Sequence, residues 1–346
     1  MDGATSPICY PQAEPPAPGE AVEVADGVLW MRLSLPMKLD HVNVYAFDEG
    51  HGWTVVDTGF DSATTHEAWQ QLIFGPLQGR PVTRVIVTHH HPDHVGLAGW
   101  FQSALGAELV TTRTAYLFTR MLQLDVQDRP TQAQLDFWRL CGMAPAIFEQ
   151  RQDERPFNFA DCTAPIDGGF TRVAEGDVIQ IGGRHWDVRM GNGHAPEHAT
   201  FWSRDDSLIL GGDQLLPSIS PNIGVYATEP EGDPLAGWIE ACDRLARHAR
   251  DDHFVLPGHK MPFTGLPARL RQLEENHHSA LDRLVAHLVT PQAAGDCFMP
   301  LFGREIRGSQ YGLALVEAMA HCLHLWHAGR ATRALRADGA WAFRAI

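Results

Sequence analysis

Apolar and polar positions alternate in short runs over the first part of the chain. GVLWMRLSL (27–35), HVNVYAF (41–47) and WTVVDTG (53–59) are rich in β-branched and aromatic residues, and the turn-forming DEGHG separates the last two. These runs predict three strands and an antiparallel start to a sheet. The period then changes. SATTHEAWQQLIFG (62–75) reads as a helix opened by Asp61 or Ser62, RVIVTHHH (84–91) as a buried strand entering a loop, and VGLAGWFQSALG (95–106) as a helix closed by Gly106. A helical segment inserted at about 112–160 carries apolar stripes broken at Pro130 and Pro145. Strand signals return in DVIQIGGRHWDVRM, HATFWS, SLILGGD and HFVLPGH, around one helix near PLAGWIEACDRLARHA. Two further helices, at 266–288 and 309–328, precede a hairpin turning at Asp338-Gly339.

This order predicts a mixed α/β domain over 21–264, preceded by a Pro-rich, disordered segment 1–20 and followed by a helical unit 265–346. With 346 residues and 44% hydrophobic content, the chain can fill a sizeable core.

Charge narrows the function. The balance of 27 basic against 42 acidic residues gives −15, which opposes binding to nucleic acid or to an anionic membrane. No apolar run is long enough to span a bilayer, and the first residues carry acids and prolines where a signal peptide would not, so a cytoplasmic location is expected. The 6 cysteines lack C-x-x-C spacing, which suggests neither a thiolate zinc site nor a disulfide framework.

The 19 histidines, in contrast, cluster. In VTHHHPDHVG (87–96), His89 and His91 alternate to one side of a fraying strand while Asp93 and His94 turn toward a neighbouring position. Imidazole and carboxylate suit zinc, manganese or iron better than calcium, and the loop offers ligands to two ions without completing either set. Three later strand ends or turns, each led by glycine, offer the remainder: His194 in GNGHAPEH, Asp213 in LILGGD and His259 in VLPGH.

H-x-H-x-D-H, then G-H-x-P-x-H, L-x-G-D and P-G-H, with the early VVDTG, resembles the metallo-β-lactamase superfamily over about residues 25–260. The resemblance implies a four-layer αββα sandwich. It implies one metal held by His89, His91 and His194, a second by Asp93, His94 and His259, and Asp213 bridging both, with His90 outside the set. Asp57 and His198 match positions that support ligands from behind. Two divalent ions, zinc foremost with iron or manganese as alternatives, would share a bridging hydroxide and polarise a carbonyl, with Asp93 nearest for proton transfer. No G-x-S-x-G elbow offers a covalent alternative.

The expected activity is hydrolysis of a thioester or ester-like bond in a small acyl substrate. Alternatives are a lactonase or another hydrolase of this fold and, from a different class, a mononuclear-iron persulfide dioxygenase. The metal site is similar to that of glyoxalase II, but that group's basic glutathione-binding pattern is absent from the C-terminal helices. His41, Met121, Trp138, Phe148 and Tyr226 are the expected substrate-pocket residues. The C-terminal helices and hairpin resemble a small winged-helix-like unit; helix 310–328 has no arginine stripe, so packing or a homodimer is expected there instead of nucleic-acid binding.

Overall fold

The computed structural model of the chain describes residues 7–346. Its strands and helices follow the order β1 (Val22–Ala25), β2 (Val28–Ser34), β3 (His41–Asp48), β4 (Trp53–Val56), α1 (Ala63–Phe74), β5 (Val82–Ile86), α2 (Pro92–Val95), α3 (Ala98–Leu105), β6 (Glu108–Thr111), α4 (Arg113–Leu124), α5 (Gln132–Leu140) and α6 (Pro145–Arg151). There follow β7 (Thr171–Arg172), β8 (Val178–Ile181), β9 (Arg184–Gly191), β10 (His198–Ser203), β11 (Leu208–Gly212), α7 (Pro234–Ala246), β12 (Phe254–Pro257), α8 (Leu266–His287), α9 (Phe298–Phe302), α10 (Tyr311–His327), β13 (Ala331–Leu335) and β14 (Trp341–Ala345).

Seven strands, β1 to β7 in sequence order, form one sheet, and five, in the order β12-β11-β10-β9-β8, form a second. Two-residue periodicity explains how the first sheet is covered on both faces. Val42, Val44 and Ala46 of β3 join one buried cluster with Trp69 of α1 and Phe101 of α3. The intervening Tyr45 and Phe47 join another cluster with Trp186, Val188, Phe201 and Leu210 of the second sheet. Val55 against Val56, and Val85 against Ile86, divide the same way. The sheets therefore stack through the Trp186 layer, and α1 and α3 cover the other face of the first.

Local signals set the boundaries. Ser62 caps α1 by accepting from the Thr65 N–H, and Gly106 ends α3 in a left-handed conformation that glycine adopts without steric cost. The β2–β3–β4 pairing is antiparallel as expected, whereas β4–β5–β6 and β11–β12 are parallel. The expectation of disorder over 1–20 needs correction for 7–20, while its part over 1–6 lies outside the described residues. Ile8 is buried and Cys9 exchanges backbone hydrogen bonds with Thr264 at 3.3 and 2.9 Å, so this Pro-rich stretch is held as an added strand-like edge.

Residues group into two compact units. The first contains 7–126, 158–220 and 245–270; the second contains 127–157, 221–244 and 271–346. Thus 127–157 and 221–244, expected in the first domain, cluster with the C-terminal region. Within the second unit α10 is buried on nearly every side, which its apolar composition permits. The Arg333 guanidinium lies 3.9 Å from both the Trp326 and Trp341 ring centres and pairs with Glu231 at 2.7 Å, fastening the β13–β14 hairpin.

Glu317 is the acid within α10. Asn222 Nδ2 donates to it at 2.7 Å, yet burial pushes its carboxyl up from 4.5 to about 7. Because the folded pKa is the higher one, the stabilisation is full below the unfolded value of 4.5 and is lost as pH rises through about 7. Glu317→Gln should therefore stabilise the protein by about 2 kcal/mol at pH 8 and much less at pH 5. Urea unfolding midpoints at the two pH values measure this; equal shifts at both would refute the assignment.

Candidate metal centre

The parallel pairs β4–β5 and β11–β12 end at one edge of the stacked sheets, the location where carboxyl ends of strands commonly form ligand sites. Asp57 follows β4, and His89 lies just beyond β5. Asp93 and His94 sit on the one-turn helix α2, which the sequence pattern does not reveal. Asp213 follows β11, His259 follows β12, and the β9–β10 turn carries His194, with His198 opening β10.

Their donor atoms converge. His91 Nδ1 is 3.1 Å from His89 Nε2 and 2.9 Å from His194 Nε2. Asp93 Oδ2 is 3.5 Å from His94 Nε2 and 3.3 Å from His259 Nε2. Asp213 reaches both sets: Oδ2 lies 3.4 Å from His194 Nε2 and 3.3 Å from His259 Nε2, and Oδ1 lies 3.4 Å from His94 Nε2. Three triads have ligand atoms within 4.8 Å of one another: His89, His91 and His194; His89, His94 and Asp213; and Asp93, His94 and His259. His90 instead lies against the Phe118 ring of α4, 5.1 Å between centres, and belongs to none.

This donor set fits a pair of divalent cations. His94 Nε2 and Asp213 Oδ1 are buried and face each other without hydrogen-bond geometry, an arrangement costing about 1–3 kcal/mol per atom unless a cation satisfies them. The far nitrogens are held from behind. His89 Nδ1 pairs with Thr88 Oγ1 at 2.9 Å, His94 Nδ1 donates to Asp57 Oδ2 at 2.7 Å, and His259 Nδ1 donates to the His41 carbonyl at 2.7 Å. Each leaves Nε2 aimed at the cluster.

Electrostatics separates the two sides. Burial, reinforced by neighbouring imidazoles, holds the pKa of His89 and His91 well below the usual histidine range, so both are neutral. Burial acts in the same direction on His94 and His259, but the carboxylates of Asp213 and Asp93, joined by Asp57 at His94, outweigh it. His94 rises well above the ordinary value and His259 to about 10. Burial opposes ionisation of Asp213 too, yet His259 and His94 hold it well below the carboxylate range. The carboxylate side thus attracts positive charge even before a metal is considered.

Asp57, at φ +60°, accepts from the Thr88 N–H at 2.8 Å, Thr88 Oγ1 at 2.9 Å and His94 Nδ1, joining His89's support to His94's. His198 stacks on His89 with ring centres 4.5 Å apart, and its Nε2 accepts from the Asp213 N–H at 3.0 Å. Burial drives its pKa down to about 3, which keeps it a neutral acceptor. Gly258 is required for space: a Cβ there would run into Asp213 Oδ1 and come within 2.8 Å of His94 Cε1.

A cleft of about 390 Å³ is lined by Tyr10, Arg32, Asp40, His41, Ser218, Lys260 and Met261, none of them a candidate metal ligand; His41, which holds His259 Nδ1, and Lys260, which follows His259, are its nearest links to the centre. Of the expected pocket residues only His41 is there. Met121 lies 43% exposed on α4, Trp138 and Phe148 lie on α5 and α6, with Arg139 over the Phe148 ring, and Tyr226 is 48% exposed in the second unit. An apolar insertion shows which residues are available and not which way they face. Thr88, Arg32 and Lys260 were not expected; the only sequence signals for them are adjacency to His89, a charge inside an apolar strand, and adjacency to His259.

Comparison with known proteins agrees with this geometry. A family model described as "Metallo-beta-lactamase superfamily" matches residues 37–286, and one described as "Metallo-beta-lactamase-like, C-terminal domain" matches 281–346. The chain is 27% identical over 255 residues to "Probable metallo-hydrolase YqjP" of Bacillus subtilis (strain 168), covering 71% of this chain and 76% of that protein. It is 38% identical over 77 residues to "Hydroxyacylglutathione hydrolase" of Albidiferax ferrireducens, covering 22% of this chain and 27% of that one. Among solved structures, a beta-lactamase domain protein from Burkholderia ambifaria shares 34% identity and a TM-score of 0.89 over 98% of both chains. A metallo-beta-lactamase family protein from Thermus thermophilus shares the fold, with a TM-score of 0.76 at 24% identity over 93% of this chain and 100% of that one. The expected metallo-β-lactamase fold agrees with these structures.

Asp57→Asn keeps a residue that tolerates the left-handed conformation but loses a charged acceptor serving two supports. Zinc affinity, read by competition with a chromophoric chelator, should fall about 10–100-fold. Wild-type affinity in this variant would mean that Asp57 is only a turn residue.

Proposed function

The chain belongs to the metallo-β-lactamase superfamily, and from that premise we propose that it is a hydrolase using two divalent cations, zinc foremost, to cleave a thioester or ester bond of a small acyl substrate. One observation carries the reading. Among the described residues Asp213 alone has carboxylate oxygens within 3.4 Å of His194, His94 and His259, so a single carboxylate faces both the all-imidazole group and the Asp93 group. His89, His91 and His194 would hold one ion, Asp93, His94 and His259 the other, and Asp213 both. When bound, such a pair supplies an activated water at neutral pH and polarises the scissile carbonyl.

The residues divide the remaining work. His198 orients Asp213 through its backbone N–H, and Asp57 orients His94 directly and His89 through Thr88. The Asp93 side chain is 16% exposed, against 8% for Asp213, and of the two it is the better placed to pass a proton to a departing thiol or alcohol. The short similarity to a hydroxyacylglutathione hydrolase supports a thioester. The complete Asp93–His94–His259 group argues against a single-iron dioxygenase.

The test strips the protein with chelator, reloads it with zinc, manganese or iron(II), and assays acyl thioesters, esters, lactones and phosphodiesters. Thioester or ester turnover should vanish on stripping, return with zinc or manganese, and fall at least about a hundredfold in Asp213→Asn. Turnover of phosphodiesters alone, or oxygen consumption with iron alone, would contradict the proposal.

A further inference from the structure

Resting on that hydrolase reading, we propose that Arg32 and Lys260 form an anion-recognition subsite in the cleft beside His259, and that the substrate carries a carboxylate or phosphate group.

The cleft's cations are prepared for this. Arg32 is fixed on β2: Nε donates to Asn43 Oδ1 at 3.1 Å, and Nη2 to the Lys260 carbonyl at 2.8 Å and to Met261 S at 3.6 Å. Nη1 donates to no protein acceptor among the described residues, so one edge of a rigid fork remains for a ligand. Lys260 directly follows His259, and its Nζ also has no protein acceptor among the described residues. A fixed guanidinium with one edge open and an ammonium with no hydrogen-bond acceptor, in one concavity, can together receive an anion.

The cleft's acid, Asp40, attracts both cations through space but accepts a hydrogen bond from neither. Asp40 is 81% exposed in its side chain and accepts from His41 Nδ1 at 2.6 Å, while His41 Nε2 accepts from the Lys260 N–H at 3.0 Å. The chain Asp40–His41–Lys260 therefore fixes the lysine backbone without taking a hydrogen bond from its ammonium. That backbone sits at φ +69°, where glycine is the unstrained choice. Lysine at a strained position next to a candidate ligand points to a use for its side chain. In a chain of net charge −15, an anionic substrate also needs a local positive feature to approach the centre.

The experiment compares 4-nitrophenyl acetate with the mono-4-nitrophenyl ester of glutaric acid, on zinc-loaded full-length protein. The anionic ester should have the higher kcat/KM by at least about tenfold, mostly through KM, and the preference should shrink with added salt. Lys260→Gln and Arg32→Gln should each reduce that preference several-fold, whereas Lys260→Arg should retain it. Glutarate and inorganic phosphate, titrated calorimetrically, separate the two anion chemistries: tighter binding of one names the substrate's group, and binding of both must weaken in Lys260→Gln. Equal rates on the two esters, or a preference unchanged in both glutamine variants, would overturn the subsite alone. Absence of turnover on either ester would count against the hydrolase reading, and the calorimetry would still decide the subsite: no binding of either anion, or binding unaltered in Lys260→Gln, rejects it.

Discussion

One carboxylate holds the centre together. Asp57 stands just past β4 in a left-handed conformation and accepts three hydrogen bonds, two from Thr88 and one from His94. Through Thr88 it fixes the ring of His89, and directly it fixes the ring of His94, so the two sides of the cluster share one anchor. The neighbouring Thr58 continues the join: its N–H and hydroxyl both bond the His94 carbonyl at 2.8 Å, and its hydroxyl accepts from the Leu97 N–H at 3.0 Å. A short polar turn thus sets the position of the whole histidine loop.

The fold tolerates so many buried polar groups because they are concentrated where strands end. The interior of the stack is apolar and alternates strictly between two clusters, while the polar load falls on turns whose backbone is pinned by neighbouring strands. Tyr45 and Asn43 of β3 both donate to the Pro257 carbonyl, at 2.8 and 2.9 Å, and the Asn43 N–H bonds the Gly258 carbonyl at 2.7 Å. The first sheet thereby positions a ligand loop belonging to the second. Removing one partner from such a network leaves its mate buried and unpaired, so the network acts as a unit.

Much of this was legible in the residues. The histidine loop, Asp213 and His259 announce themselves because ligand-type side chains follow buried strands at glycine turns, and the structure brings those residues together. The helix ending at Gly106 was legible through its cap. What stayed hidden acts through geometry that no side-chain pattern records. His41 supports His259 by its main-chain carbonyl, and any residue has one. Arg32 occupies a position in an apolar strand that alternation alone would mark as an outward charge. The expectation of a pocket at Met121, Trp138, Phe148 and Tyr226 relied on apolar character, which does not encode direction, and the second unit is assembled from three stretches far apart in the chain.

The central claim is that distant strand ends trap two cations sharing Asp213. Anomalous diffraction at the zinc edge, from crystals of zinc-loaded protein, tests it most directly. Two peaks are predicted, one about 2.0–2.2 Å from ligand atoms of His89, His91 and His194, the other at similar distances from Asp93, His94 and His259, with Asp213 between them. A cluster without anomalous density at full zinc loading, or zinc bound only elsewhere on the chain, would contradict the account.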